Sequence, residues 1–286
     1  MKIKILILTS IFFLNEISLY SQKKDTEQAL YNIGFGAIFG TVGAIINKKK
    51  NESIGKVIKK SLWQGALGGY VVFESKRVLR EAQRQNNWEY IWVSKLINAA
   101  GVSIIENTAL NEKFGTRWHL NIGFNRIELN SLDKLTISYK LKPVAFVYTI
   151  DALFRHQFEF SQSIKTGQFV FTTNEVTDVK NYNIVAATYP GLIVYENNYF
   201  QDINLTTHEI IHRYQSNDFS VFNTYFDKPF KRLSQKRKII KWIDKYLLIE
   251  SHYLILTPLY ILEGIDESNY YRNRFEYEAG YYSGTN

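Results

Sequence analysis

Cysteine is absent from all 286 residues of the chain. Its absence excludes disulfide bonds, metal sites with thiolate ligands and lipid attachment at a cysteine. The sequence also lacks a glycine-rich phosphate loop, a nucleophile elbow and an internal repeat. These features would have indicated nucleotide binding, serine hydrolysis or a repeat architecture. Prolines are few, four in all, and Pro258 lies inside an apolar run where it predicts a helix kink or a helix boundary.

The first 21 residues have the pattern of an export signal. Lys2 and Lys4 precede an apolar run, residues 5–14, that is too short to span a bilayer comfortably. Ser21 is a small residue that could precede a cut before Gln22. We therefore expect residues 1–21 to be a cleaved signal peptide and the mature protein to reach the periplasm or cell envelope.

The mature chain is long enough for one large domain or two small ones, and its apolar content of 45% indicates a folded protein. The net charge is +8, and much of it lies in residues 48–84 and 228–245. On an exported protein this charge predicts either attraction to anionic lipid or polysaccharide, or simply a solvated surface. No nucleic-acid partner is expected, because export separates the protein from the nucleic acids of the cell and the sequence contains no nucleic-acid-binding motif.

Residues 22–112 are predicted to be a helical, glycine-rich region. Residues 29–47 carry no charge, and a second apolar stretch lies within residues 54–84. Both segments contain GxxxG pairs, Gly36 with Gly40 and Gly65 with Gly69. Such pairs let helix backbones approach closely, so the two helices are expected to form an antiparallel hairpin. The hairpin either inserts into a membrane or attaches to its anionic surface, or it packs inside a soluble fold, and the sequence leaves these alternatives open.

Alternation of apolar and polar residues predicts strands in the middle of the chain. Residues 120–124 and 135–141 alternate with period two, and residues 130–134 supply a turn, so a hairpin with one wet face is expected. Further candidate strands lie at 144–150, 154–160, 168–172 and 191–195. These strands are too few for an outer-membrane barrel and fit a twisted antiparallel sheet packed against a helix.

Residues 208–212 read His-Glu-Ile-Ile-His, the HExxH pattern of zinc-dependent hydrolases. On a helix, residues four apart lie about 40° apart around the axis, so His208 and His212 can reach one metal ion. Glu209 is placed to act as the general base for a water activated by that metal. The alternative is a chance match on an ordinary helix.

The residues around this motif predict an amphipathic helix with Asn204 as its N-cap. One side of the helix is apolar and consists of Ile203, Thr207, Ile210, Ile211 and Tyr214. His208, His212 and Gln215 fall on another side, away from the packing stripe. A merely solvated polar face would give the same pattern.

A tetrahedral zinc site with an open position needs a third protein ligand. The other histidines, His119, His156 and His252, have no spacing that recommends them. HExxH followed downstream by a helix that reads ExxA resembles the gluzincin group of zinc metallopeptidases. The longer pattern HExxHxxQ with NxxExEA, matched by residues 208–215 and 273–279, is similar to several bacterial peptidase-like families. The resemblance covers about a tenth of the chain.

This resemblance implies a zincin-like metallopeptidase domain over residues 113–286, with Zn²⁺ held by His208, His212 and Glu276. It also implies a sheet that lines the cleft and holds an extended peptide at its edge. Glu276 and Glu278 lie about 200° apart on a helix, so only one can face the metal, and Glu278 shares a side with the packing residues Tyr271, Phe275 and Tyr282. Geometry and resemblance both favour Glu276.

Gly280 departs from the family pattern. Related peptidases often carry an Asp at this position, where it supports a metal-bound histidine from behind. The sequence therefore leaves the support of the histidines unassigned. It also leaves unassigned the residue that would stabilise an oxyanion, because no spacing selects one of the many tyrosines.

We expect an α+β protein with an N-terminal glycine-rich hairpin, a central antiparallel sheet, the HExxH helix, and C-terminal helices near 236–249 and 252–262. The expected activity is zinc-dependent hydrolysis of peptide bonds in a peptide or protein substrate. His208, His212 and Glu276 are the expected zinc ligands, and Glu209 is the expected base. The alternative is a non-catalytic, membrane-associated envelope protein with a structural or decayed metal site.

Overall fold

The structure is a computed structural model that describes residues 25–131, 134–174, 177–179, 182–263 and 273–285. The expected signal peptide and Tyr271 lie outside these ranges. In the described part of the chain, long helices are combined with small sheets, so the predicted α+β class is confirmed.

Three helices form the amino-terminal part, α1 (Asp25–Ile46), α2 (Ile54–Arg84) and α3 (Glu89–Ala109). A Cβ atom added at Gly36 would collide with the carbonyl oxygen of Gly65, and one added at Gly69 would collide with that of Asn32. The order of these contacts shows that α1 and α2 run antiparallel, as the GxxxG pairs predict. The contacts also leave no room for any side chain at these glycines.

By length and composition, α1 could cross a membrane or belong to a signal sequence, and half of its most apolar window is buried inside the protein. Its Phe35 and Phe39 pack against the aromatic rings of Phe219 and Phe222. An apolar helix near the amino terminus is compatible with the expected export.

The first sheet is antiparallel and contains β1 (Arg117–Ile122), β2 (Asn125–Asn130) and β3 (Thr136–Leu141) in that order. The expected hairpin between residues 120–124 and 135–141 is wrong, because β2 lies between the two outer strands and pairs with both. A tight turn at Gly123, whose φ is +57°, reverses the chain directly into β2.

The expected strand at 144–150 is wrong, and the one expected at 154–160 is confirmed only over two residues. The chain forms α4 (Pro143–Arg155), the two-residue strand β4 (Gln157–Phe158) and α5 (Phe160–Thr166) instead. Pro143 occupies the first turn of α4, where a missing N–H costs nothing. The Glu250 carboxylate accepts a hydrogen bond from the main-chain N–H of Val144 at 2.7 Å, so a residue far along the chain caps this helix.

The larger strands of the second sheet are β5 (Phe169–Thr173), β8 (Ala186–Tyr189) and β9 (Leu192–Glu196). A separate pair is formed by β6 (Thr177–Val179) and β7 (Tyr182–Ile184). The strand order in the second sheet is β4-β5-β9-β8. These positions confirm the expected strands at 168–172 and 191–195. The expectation of a purely antiparallel sheet is wrong here, since β5 and β9 are parallel. Strand β8 lies at one edge of this sheet.

The carboxy-terminal part is helical. It contains α6 (Ile203–Asp218), a 3-10 helix (Phe219–Phe226), α7 (Asp227–Ser234), α8 (Lys238–Tyr246), α9 (Tyr253–Glu263) and α10 (Arg274–Ser283). The expected helices at 236–249 and 252–262 are confirmed as α8 and α9, and Pro258 lies inside α9. The N-cap of α6 is Asp202 and not Asn204, because the Asp202 carboxylate accepts hydrogen bonds from the N–H groups of Asn204 and Leu205.

Two apolar clusters hold α6 and α10 in place. In the first, Ile210, Ile211 and Tyr214 of α6 pack with residues of α2, α3, α10 and the second sheet. In the second, phenylalanines of α1, the 3-10 helix and α10 pack together. The glycine-rich region and the rest of the chain therefore share both clusters.

Candidate metal centre

Three side chains from α6 and α10 converge at one point. Nε2 of His212 lies 3.2 Å from Nε2 of His208. Oε2 of Glu276 lies 3.2 Å from His208 Nε2 and 3.5 Å from His212 Nε2. Within the described residues, these three form the group of His, Cys, Asp and Glu that is close enough to hold a metal ion.

The spacing of these atoms fits a tetrahedral zinc ion. Two ligand atoms that each lie about 2.0–2.1 Å from zinc are about 3.3 Å apart at the tetrahedral angle. The three separations, 3.2, 3.2 and 3.5 Å, lie close to this value. Two imidazole nitrogens and one carboxylate oxygen are also ligands that zinc commonly takes in catalytic sites. These residues therefore fit zinc in both geometry and chemistry.

Gln215 fixes the tautomer of His212. The Gln215 amide nitrogen donates to the main-chain oxygen of Phe275 and to Oε2 of Glu278, both at 2.9 Å. The amide oxygen of Gln215 must therefore face His212 Nδ1, which lies 2.8 Å away. His212 Nδ1 consequently carries a proton, and Nε2 is the ring nitrogen that faces His208 and Glu276 and would bind a metal after losing its own proton.

Two hydroxyl groups lie behind His208. His208 Nδ1 lies 3.3 Å from Thr285 Oγ1 and 3.5 Å from Ser283 Oγ. These two hydroxyls are 2.7 Å apart, at the end of the helix that contains Gly280. A protonated Nδ1 that donates to them leaves Nε2 of His208 free to bind a metal.

The electrostatics of the centre favour a cation. Burial opposes ionisation of Glu276, but hydrogen bonds from His208 and His212 outweigh burial and hold the pKa of this carboxyl well below its usual range. Burial likewise opposes protonation of His212, but the adjacent Glu276 outweighs it and raises the pKa of His212 to about 9. A buried carboxylate between two imidazoles thus draws positive charge to this point.

Glu278 points away from the histidines, as the helical projection predicts, but its surroundings are not aromatic packing. Its Oε1 accepts a hydrogen bond from Nζ of Lys76 at 2.9 Å, and both side chains are buried. Lys76 also donates to Asp218 at 2.8 Å and to Asn32 at 3.0 Å. A buried polar network therefore connects the glycine-rich helices, through Glu278 and Gln215, to His212.

Glu209 is held by the edge strand β8. The hydroxyl of Thr188 lies 2.8 Å from Glu209 Oε2 and 2.9 Å from the main-chain oxygen of the same residue. Glu209 lines the same cleft as His212 and Glu276, and this cleft has a volume of about 430 Å³. Residues of β8, α6, α9 and α10 line this cleft, so Glu209, although buried, reaches the same cleft as His212 and Glu276.

Tyr260 also lines the cleft, and its hydroxyl donates to Glu276 Oε1 at 2.8 Å. The other carboxylate oxygen of Glu276 faces the two histidines. Sequence reasoning missed Tyr260, since nothing in its spacing separates it from the other tyrosines among the 20 in the chain. Only the folded chain brings it to the centre.

The remaining histidines lie elsewhere. His119 is buried between Ser103 and Glu106, and His252 is buried beside Asn223. His156 follows the end of α4. None of the three belongs to the group that could share a metal ion.

Comparison of the chain with protein-family models, with curated proteins and with solved structures finds no match. The resemblance to gluzincins therefore rests on the two motifs and on the geometry described above.

Proposed function

We propose that this protein is a zinc-dependent hydrolase that cleaves peptide bonds. The observation that carries the proposal is the tetrahedral spacing of His208 Nε2, His212 Nε2 and Glu276 Oε2. Three protein ligands leave a fourth position of the tetrahedron for water, as in catalytic zinc sites. A zinc ion bound there supplies a Lewis acid that makes a water molecule nucleophilic near neutral pH.

Glu209 is the general base in this proposal. Its carboxylate takes a proton from the attacking water while the water oxygen bonds to the peptide carbonyl carbon. When the carbon–nitrogen bond breaks, Glu209 returns this proton to the departing amine. The contact with Thr188 keeps the carboxylate at the wall of the cleft during both transfers.

Tyr260 is the residue that we assign to the oxyanion. Its hydroxyl lies in the cleft and is anchored on Glu276 Oε1. The phenol carries one proton, so it would exchange its hydrogen bond to Glu276 for one to the oxygen that gains negative charge as the water attacks. Burial raises the pKa of Tyr253, another residue of the cleft, but among the described residues no hydrogen bond joins its hydroxyl to a proposed ligand.

Strand β8 favours an extended peptide as the substrate. In an antiparallel ladder, hydrogen-bonded and non-hydrogen-bonded pairs alternate along the strand. Val185 accepts a hydrogen bond from the main-chain N–H of Glu196 in β9. Ala186 and Thr188 therefore direct their main-chain N–H and C=O groups to the side of β8 that faces away from β9. No strand among the described residues pairs with that side. A peptide that adds to β8 would lie along the cleft with its main chain near Glu209.

The Glu209→Gln variant tests this function. It keeps the three ligands and the shape of the side chain, so we expect about one zinc per chain and a loss of hydrolysis of about 100-fold or more. The assay measures cleavage of a mixture of fluorogenic peptides together with zinc content by mass spectrometry. Glu89→Gln, at an exposed position on α3, is the matched control and should behave as the wild type.

Equal peptide cleavage by the wild type and Glu209→Gln would contradict the assignment of the base. A wild type that binds zinc and cleaves no peptide would favour the alternative, a non-catalytic envelope protein with a structural metal site.

A further inference from the structure

The three-stranded sheet β1–β3 has its charged face towards the protein interior. Arg126 donates to Glu128 Oε1 and to Glu106 Oε2, both at 2.6 Å, and all three side chains are buried. His119, which pairs with Glu128 in the ladder, is buried on the same face. An antiparallel sheet with one wet face normally buries its apolar side, so this sheet is inverted.

The outer face of the same sheet is apolar. Paired residues of neighbouring strands share a face, and the pairs Ile127 with Tyr139 and Leu129 with Ile137 lie opposite the buried charges. The side chain of Ile137 is 76% exposed, and Ile127 and Tyr139 are also exposed. The expected alternation of β3 is therefore present, but its apolar residues face outwards.

Helix α8 is joined to the edge of this sheet. The chain directly after α8 pairs with the end of β3, where Leu248 N–H donates to the Leu141 oxygen at 2.9 Å. No residue of α8 is buried. Ile239 and Trp242 are 69% and 56% exposed, and Tyr246 follows one turn later on the same side of the helix.

Basic residues occupy the other side of α8. Residues 228–245 contain eight Lys and Arg and one Asp, so this short segment carries a charge of +7 in a chain whose net charge is +8. On α8 itself, Lys238, Lys241 and Lys245 lie on the side opposite the isoleucines. A helix with aromatic and aliphatic residues on one side and lysines on the other is typical of helices that lie in a membrane interface.

We propose that α8 and the outer face of β2–β3 form a peripheral binding surface for an anionic lipid bilayer. Ile239, Trp242 and Ile137 would enter the boundary between headgroups and acyl chains, and the lysines would contact anionic headgroups. The concentration of one sign of charge beside exposed aromatic residues favours a bilayer over a protein partner. In this proposal, lipid would also cover the exposed apolar face of the inverted sheet.

This surface is different from the glycine-rich hairpin, which the sequence predicts as a site of membrane attachment. The glycines of α1 and α2 are used in contacts between these helices, and Phe35 and Phe39 are buried in an aromatic cluster. Trp63 of α2 is 55% exposed, close to the value of Trp242, and it provides a matched control for the two surfaces.

The test is flotation of the exported protein with vesicles of phosphatidylcholine, with and without phosphatidylglycerol. We expect binding to the anionic vesicles only, and release at high salt. Two double variants, Ile239→Ser/Trp242→Ser and Lys238→Glu/Lys241→Glu, should each bind the anionic vesicles at least about tenfold more weakly than the wild type. Trp63→Ser should bind as the wild type does. Because no residue of α8 is buried, the variants should retain the far-UV circular dichroism spectrum and zinc content of the wild type.

Loss of vesicle binding in Trp63→Ser, with binding kept in both double variants, would overturn the proposal in favour of the hairpin. Equal binding to neutral and anionic vesicles would overturn it as well. A wild type that floats with neither vesicle but dimerises or captures a protein through Trp242 would show that the surface serves a protein partner.

Discussion

Gln215 connects the two helices of the metal centre through a single amide group. Its oxygen accepts from His212 Nδ1, and its nitrogen donates to Phe275 and Glu278 on α10. Orientation of a metal-bound histidine by such a partner commonly contributes 10–100-fold to metal affinity. In the proposed zinc site, Gln215 would therefore supply part of the support that Gly280 cannot give.

We therefore predict that Gln215→Met lowers zinc affinity by about 10–100-fold while the protein remains folded. Methionine fills a similar volume but accepts only weakly, so the ring of His212 loses its partner. Competition with a chromogenic chelator measures the dissociation constant. Gln235→Met, at an exposed position after α7, is the control, and unchanged affinity in Gln215→Met would refute this role.

At the residue scale, the sequence predicted the three residues that now lie together. The HExxH spacing is local, and the 200° separation of Glu276 and Glu278 follows from helix geometry alone. Lys76 and Tyr260 could not be predicted in this way. Lys76 lies 202 residues from Glu278, and only packing of α2 against α10 brings the two side chains together.

Among the helices, the contact between α1 and α2 depends on the absence of side chains at its glycines. We predict that Gly36→Ala lowers the free energy of unfolding by about 2 kcal/mol or more, because the added methyl group meets the main chain of Gly65 and Gly69. Gly34→Ala meets nothing within 4 Å, so it should stabilise the protein by about 0.5–1 kcal/mol. Denaturant unfolding of both variants measures the difference. Equal effects at the two positions would show that close packing is not the reason for the glycines.

Helices with local signals were predictable, whereas α4 was not. Its residues Val144–Ile150 form an apolar run rich in β-branched and aromatic side chains, which favours a strand by propensity. The tertiary structure overrides this propensity through Glu250, which caps the helix from more than a hundred residues away. Strand β2 was missed because its inward residues Arg126 and Glu128 are charged, and no alternation rule expects charges in an interior.

The inverted sheet makes the protein sensitive to acid. Burial raises the pKa of Glu128, but the charge of Arg126 outweighs burial and lowers it to about 2. Burial and then Arg126 lower the pKa of His119 to about 4. Both groups bind fewer protons in the folded than in the unfolded state at acidic pH, so stability falls as pH falls.

For His119 the loss occurs as pH falls from about 6.5 to about 4, and for Glu128 from about 4.5 to about 2. We predict that Glu128→Gln is less stable than the wild type by about 3 kcal/mol at pH 7, and that this difference shrinks below pH 4.5. Urea unfolding at several pH values measures both. Asp151→Asn, which removes an exposed ion pair with Arg155, should change little. A constant difference at all pH values would contradict the proposed linkage.

In the whole molecule, shared packing and a buried polar network connect the glycine-rich helices to the candidate metal centre. Residues 22–112 and 113–286 share two apolar clusters, and Lys76 extends from α2 to the network behind His212. The glycine-rich region thus acts as a support for α6 and α10. Its predicted attachment to a membrane remains a hypothesis, and α8 with the outer sheet face offers a different surface for the same partner.

Zinc content per chain tests the metal centre most directly. Purified wild-type protein should contain one zinc ion per chain, measured by mass spectrometry, because three ligand atoms lie at tetrahedral spacing. His212→Ala and Glu276→Ala should each lose stoichiometric zinc, and His156→Ala, which changes a histidine outside the centre, should keep it. A folded wild type without zinc, or full zinc retention in His212→Ala, would contradict the assignment of His208, His212 and Glu276 as the metal ligands.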